Sequence, residues 1–69
     1  MESVILRDPS ILGGTPVFRG TRVPIRNLFD CFEKGYSIRQ FLTDFPAVSE
    51  EQVGLLLREV ERELQLGAA

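Results

Sequence analysis

The sequence has no histidine, and Cys31 is its only cysteine among 69 residues. An internal disulfide needs two cysteines, and the common zinc sites need several Cys or His ligands, so both kinds of support are excluded. No apolar run reaches the length of about 18 residues that a membrane-spanning helix needs. Because the N-terminus has Glu2 in place of a basic segment and a long apolar stretch, we expect no secretory signal. We therefore expect a cytoplasmic protein with no metal and no cofactor.

The shortness of the chain limits its stability. Sixty-nine residues form one domain, here divided into a β arm over residues 1–23 and a helical part over residues 24–69. A core of this size supplies roughly 3–5 kcal/mol of net stability. Since neither a disulfide nor a metal can add to that, we expect support from a second copy of the chain, as a homodimer or higher oligomer, or from another protein.

Charge is distributed unevenly along the chain. Residues 1–40 have a net charge of +2 and residues 41–69 a net charge of −4, which gives the overall −2. The chain therefore lacks the strongly basic surface that is typical of nucleic-acid-binding domains. The charge balance is still compatible with a local basic surface formed by the first half of the chain.

Three groups of apolar residues recur at the spacing of one helix face. The groups are Ile25, Leu28, Phe29 and Phe32; Ile38, Phe41, Leu42 and Phe45; and Val53, Leu56, Leu57, Val60 and Leu64. They predict helices over residues 25–34, 38–45 and 50–66. We expect these stripes to meet in one core built around Phe29, Phe41, Leu42, Leu56 and Leu57, with Cys31 as a small buried apolar residue at its edge.

Residues that favour helix ends flank each stripe. Gly35 is placed to end the first helix in a left-handed conformation. Ser37 and Ser49 each precede a glutamine by three residues, which is the pattern of a capping box. Pro46 and Gly67 are expected to end the second and third helices.

The tight turn between the second and third predicted helices is typical of a helix-turn-helix, a frequent DNA-binding arrangement. Three helices also pack this way simply to bury their apolar faces, and both interpretations stay open. Glu50 and Glu51 lie in the first turn of the third helix, where DNA phosphates would repel them. The third helix is therefore not expected to bind DNA unaided.

Leu55 and Leu66 lie opposite the buried stripe of the third helix. They could form a face that binds a partner, or they could be ordinary exposed leucines.

The N-terminal part favours short strands. Residues 3–7 predict one strand, and residues 17–18 and 21–23 predict two more that form a hairpin through a turn at Arg19 and Gly20. Strands this short are not stable alone and must lie on the helices or pair with another chain.

The segment "GGTPVFRGTRVPI", residues 13–25, contains the most constrained backbone of the chain. The residues expected to shape this loop are Gly13, Gly14, Pro16, Gly20, Thr21 and Pro24. Glycine permits unusual backbone angles and proline fixes them, so the loop should be rigid. It would present Arg19, Arg22 and Arg26 to a partner's carboxylates or phosphates. The alternative is that the arginines only solvate a hairpin.

The stretch from "ILRDPS" to "SEEQV" resembles the domain-of-unknown-function family number 433, which comprises small bacterial and archaeal antitoxin-like proteins. The resemblance covers about residues 5–60, and "GGTPVFRGTRVPI", "EKGYS" and "VSEEQV" are its most specific parts. It implies a mainly α fold, with a short N-terminal β segment or hairpin followed by a homeodomain-like three-helix bundle. It also implies a toxin–antitoxin setting, often beside a PIN-like ribonuclease.

Two functions follow as expectations. The first is an antitoxin that binds and neutralises a PIN-like ribonuclease, through the arginines of the loop or through Leu55 and Leu66. The alternative is a helix-turn-helix regulator that binds operator DNA. We do not expect an enzyme, because histidine, a phosphate-binding loop and a close pair of carboxylates are all missing from the sequence.

Overall fold

The computed structural model describes residues 2–65, which fold as a small β arm followed by three helices. The arm contains strands β1 (Ile5–Leu6) and β2 (Val17–Phe18), with a short 3-10 turn over Leu12–Gly14 between them. The helices are α1 (Ile25–Glu33), α2 (Ile38–Asp44) and α3 (Glu50–Leu64). The predicted class, mainly helical with a short N-terminal hairpin, is confirmed, and each helix starts where its apolar stripe indicated.

The two strands pair in antiparallel register, with Ile5 opposite Phe18 and Leu6 opposite Val17. The predicted turn at Arg19 and Gly20 is present, but the expected strand over residues 21–23 does not form. The chain returns past β2 with a single bridge between Val17 and Pro24. β2 therefore has β1 as its strand partner, and the short return segment leads directly into α1.

Helix ends follow the local sequence with one exception. Gly35 has a φ of +80°, and the amides of Gly35 and Tyr36 donate to the carbonyls of Phe32 and Cys31, which is a Schellman motif. Ser49 and Gln52 form a complete capping box. The predicted second box is only half formed.

At that second helix start, the Ser37 hydroxyl accepts from the Gln40 amide at 3.1 Å. The Gln40 side chain does not reach back to Ser37 and instead donates to Asp44 Oδ1 at 3.0 Å. The Asp44 carboxylate, one helical turn further along, offers Gln40 a charged acceptor. α2 ends at Asp44, before Pro46, whereas Gly67 lies outside the described residues.

The core joins the β arm to all three helices. Its buried members are Val4, Phe18, Ile25, Leu28, Cys31, Phe41, Val48, Val53 and Leu56. The ring centroids of Phe18 and Phe41 lie 5.9 Å apart, and both residues are fully buried. Phe29, Leu42 and Leu57 pack against this cluster while remaining partly exposed. The predicted core is thus confirmed for Phe41 and Leu56, while the other three predicted residues lie at its margin. The core also contains Val4 and Phe18 from the arm.

Candidate functional site

Residues 18–23 form a closed turn between β2 and α1, which we call the Arg22 turn. The Thr21 amide donates to the Phe18 carbonyl at 2.9 Å, and the Thr21 hydroxyl donates to the same oxygen at 2.8 Å. Gly20, the third residue of this β-turn, has a φ of +82°, as a type II turn requires. A non-glycine residue would be strained at that position, which explains the glycine between the two arginines.

Three more hydrogen bonds fix the ends of the Arg22 turn. The Val23 amide donates to the Thr21 hydroxyl at 3.0 Å, and the Phe18 amide donates to the Val23 carbonyl at 3.0 Å. The Ile25 amide donates to the Pro16 carbonyl at 3.0 Å, so that β2 and the start of α1 are joined directly. Hydrogen bonds within the turn and between its two flanks thus fix its backbone.

Helix α3 holds the Arg22 turn from the other side through Gln52. The Gln52 Oε1 atom accepts from the Ser49 amide at 3.1 Å in the capping box, and its Nε2 atom donates to the Arg19 carbonyl at 2.9 Å. One side chain therefore caps α3 and positions the turn. The capping pattern predicted the first of these bonds, but nothing in the local sequence indicated the second.

Arg19 is part of the fold. Its Nε donates to the Ser3 carbonyl at 2.7 Å, its NH1 lies 3.6 Å from Glu2 Oε2, and its amide donates to the Val4 carbonyl at 2.8 Å. Ser3 continues this contact to α3, because its hydroxyl donates to Glu59 at 2.6 Å. The side chain of Arg19 is only 35% exposed. Its primary contacts are therefore within the chain, and any role in partner binding stays a prediction.

Arg22 and Arg26 are both exposed at the start of α1. Within residues 2–65, Arg22 makes no side-chain hydrogen bond or ion pair. The Arg26 side chain is 85% exposed and lies 3.9 Å from Asp30, a distance that gives a weak ion pair. The three predicted arginines thus differ in the structure. Arg19 is held by contacts within the chain, whereas Arg22 and Arg26 are exposed to solvent.

The start of α1 is electropositive beyond these two side chains. A helix N-terminus carries about half a positive charge. Pro24 caps α1 without a side-chain hydrogen bond, and the first turn contains no acidic residue. Arg26 in that turn is unfavourable to the helix by about 0.3–1 kcal/mol. The start of α1 therefore combines two exposed arginines with the positive end of the helix, and the weak pair with Asp30 offsets only part of the cost of Arg26.

Three other loop-shaping residues, Gly13, Gly14 and Pro16, lie upstream of the Arg22 turn, and Pro24 follows it. Gly13 and Gly14 have φ values of +68° and +94° in the turn that leads into β2. Leu12 was not singled out by the sequence, yet it has a φ of +50° and is 49% exposed. An apolar, non-glycine residue rarely adopts such an angle, and no local signal predicted it.

The predicted leucine face can be described in part. Leu55 is 44% exposed on α3, whereas Leu66 lies outside the described residues. Among residues 2–65, no three His, Cys, Asp or Glu side chains are grouped as a metal site would require, and no helix is both long and apolar enough to cross a membrane.

Comparison with known protein families assigns the chain to one of them. The model of a family described as a protein of unknown function, DUF433, matches residues 5–58. The chain belongs to the DUF433 family. This confirms the resemblance in the sequence, and the match includes both strands, α1, α2 and the Arg22 turn.

A curated relative is similar over most of the chain. The uncharacterized protein y4eO of Sinorhizobium fredii (strain NBRC 101917 / NGR234) is 38% identical over 54 residues. These residues are 78% of this chain and 24% of the relative, so the chain spans about a quarter of the relative's length. No solved structure matches the chain.

Proposed function

We propose that the protein is the antitoxin of a toxin–antitoxin pair and neutralises a PIN-like ribonuclease by inserting Arg22 among the carboxylates that bind its catalytic metal. The observation that carries this proposal is the contrast between a fixed backbone and an unengaged side chain. The Arg22 turn is held by its own hydrogen bonds and by Gln52, while Arg22 is exposed. A turn ordered before binding loses little entropy when a partner captures its arginine.

The chemistry of the surface favours an anionic partner. Arg22 and Arg26 stand at the positive end of α1, and a guanidinium binds carboxylates through two parallel hydrogen bonds. PIN-like nucleases hold divalent metal with clustered carboxylates, which repel one another when the metal leaves. An arginine that enters this cluster neutralises that charge and prevents metal from returning. Because the ribonuclease acts on cellular RNA, the proposal places both proteins in the cytoplasm.

The alternative is a regulator that binds operator DNA, which the succession of α2, a short turn and α3 favours. Glu50 and Glu51 are exposed in the first turn of α3, the part of a recognition helix that would face the bases. Phosphates would repel both, so we rank DNA binding second. Operator binding measured across a salt series tests it, because phosphate-driven affinity falls steeply as salt rises.

The proposal is tested with the purified protein and a PIN-like ribonuclease encoded beside its gene. The wild-type chain should bind this enzyme in titration calorimetry and stop its cleavage of RNA. Added Mn²⁺ or Mg²⁺ should weaken binding, since the metal and Arg22 would occupy the same carboxylates. Tight binding that leaves cleavage intact, or that is indifferent to metal, would argue against this mechanism.

A further inference from the structure

An open groove of about 590 Å³ lies between α2 and α3, away from the Arg22 turn. Its lining includes Ile38, Leu42, Glu50, Val53, Gly54 and Leu57. Ile38, Leu42 and Leu57 pack against the core yet stay partly exposed there. The groove therefore leaves part of the apolar surface of α2, together with Leu57 of α3, uncovered.

Gly54 lies in this groove, in the interior of the longest helix of the chain. Glycine in a helix interior is less favourable than alanine by about 0.8–1 kcal/mol. A Cβ atom built on Gly54 would meet nothing within 4 Å, and its backbone angles are not of the left-handed kind. Neither packing within the chain nor backbone conformation requires this glycine.

A second helix that crosses α3 at Gly54 would require a small residue at this position. Helices approach most closely where a small residue separates them, and the residues four positions apart form the ridge that packs into a neighbour. Glu50, Gly54 and Arg58 form one such ridge on α3, with the glycine at its centre. Both Glu50 and Arg58 are exposed, and within residues 2–65 neither takes part in an ion pair.

The charges on this ridge complement those on the same ridge of a second, antiparallel copy. In an antiparallel pair of α3 helices centred on Gly54, each residue before the glycine faces the residue equally far beyond it in the other copy. Glu50 then faces Arg58 of the second copy, and two-fold symmetry repeats the pair. A parallel pair would place Glu50 against Glu50 and Arg58 against Arg58, which is repulsive.

We propose that a second copy of this chain occupies the groove, with the two α3 helices crossing antiparallel at Gly54. The shared interface covers Leu42 and Leu57 and pairs Glu50 with Arg58 twice. A chain of 69 residues with no disulfide gains from this the apolar burial that its own core lacks. The proposal is independent of the nuclease-binding role, because Arg22 lies outside the groove.

Gly54→Leu tests the crossing point. Leucine favours a helix, and its Cβ atom would have no neighbour within 4 Å in the single chain, so the fold should persist, whereas close approach of a second helix becomes impossible. Light scattering on the full chain, from about 1 μM to about 1 mM, should give twice 7.8 kDa for the wild type. Gly54→Leu should stay at 7.8 kDa, with an unchanged helical circular dichroism spectrum.

Charge reversal tests the register. Glu50→Arg and Arg58→Glu should each weaken self-association by about tenfold or more. The double variant, and an equimolar mixture of the two single variants, should restore it, because every pair is then of opposite sign. A monomeric wild type, or a Gly54→Leu variant that remains dimeric, overturns the proposal. A dimer that the reversals leave unchanged overturns the antiparallel register. A monomeric wild type in which Gly54→Leu impairs nuclease binding would assign the groove to the nuclease instead.

Discussion

The guanidinium of Arg19 joins the segment before β1 to the Arg22 turn, because its Nε atom donates to the carbonyl oxygen of Ser3 at 2.7 Å. Ser3 in turn bonds to Glu59 of α3, and the Arg19 carbonyl accepts from Gln52 of the same helix. A residue that the sequence marked for partner binding thus joins three parts of the chain.

Replacing Arg19 with alanine should lower the free energy of unfolding by about 1 kcal/mol, a value reduced from that of a buried charged hydrogen bond because the side chain is 35% exposed. Arg22→Ala is the matched control and should change it by less than about 0.5 kcal/mol. Urea unfolding measures both. Equal stability of the two variants would show that the contact with Ser3 contributes nothing in solution.

Gln52→Glu should loosen the Arg22 turn without harming α3. Glutamate preserves the acceptor of the capping box and suits a helix N-terminus, but it cannot donate to the Arg19 carbonyl. We expect a loss of about 1 kcal/mol in unfolding free energy. Faster hydrogen exchange at the Thr21 amide should accompany it, whereas α3 amides stay protected. If Thr21 exchanges at the wild-type rate, Gln52 does not hold the turn.

Phe41→Ala should leave the domain largely unfolded. Phe41 is fully buried between Phe18 and Phe45, and truncating such a residue costs about 3–5 kcal/mol, close to the whole stability expected for this length. Phe32→Ala is the control, since Phe32 is 36% exposed, and it should keep a cooperative thermal transition. A cooperative transition near the wild-type temperature for Phe41→Ala would contradict this core.

The Asp8 carboxylate stabilises the fold only while it is ionised. Its Oδ1 atom accepts from the Ser10 amide at 2.9 Å and from the Ser10 hydroxyl at 2.7 Å. These bonds lower the pKa of Asp8 below its usual 3.8, and the bond from the Ser10 amide has the larger effect. A lowered folded-state pKa means that the contribution is complete above pH 3.8 and is lost as the pH falls through the folded-state pKa.

An NMR titration of Asp8 checks this directly, with Ser10→Ala as the comparison. Removing the hydroxyl leaves the backbone donor, so the pKa of Asp8 should rise part of the way towards 3.8. An Asp8 that titrates identically in both proteins would mean that the hydroxyl bond is absent.

Helix positions could be predicted because their signals are local. The apolar spacing, Gly35 and the two serine caps all lie within a few residues of the structure they determine, and the observed ends differ from prediction by at most two residues. The capping box at Ser37 failed to close because Asp44 offered Gln40 a competing acceptor. Even there the error came from a residue one helical turn away.

Contacts between distant residues were the part that could not be predicted. The pairing of β2 with β1, the burial of Phe18 against Phe41 and the bond from Gln52 to Arg19 each join segments far apart in sequence. No spacing rule relates such positions, because only the folded chain brings them together. For the same reason the sequence could group Arg19 with Arg22, although the fold engages one and exposes the other.

The affinity of Arg22→Ala for the proposed partner, a PIN-like ribonuclease, tests the account most directly. Lys34→Ala is the matched control, because it removes the same charge from the other end of α1. Removing an arginine buried against carboxylates costs about 3–5 kcal/mol, so Arg22→Ala should bind at least about a hundredfold more weakly and should no longer inhibit RNA cleavage. Lys34→Ala should bind like the wild type. If Arg22→Ala binds and inhibits within about twofold of the wild type, a difference below the 1 kcal/mol typical of surface charges, Arg22 does not enter the nuclease site.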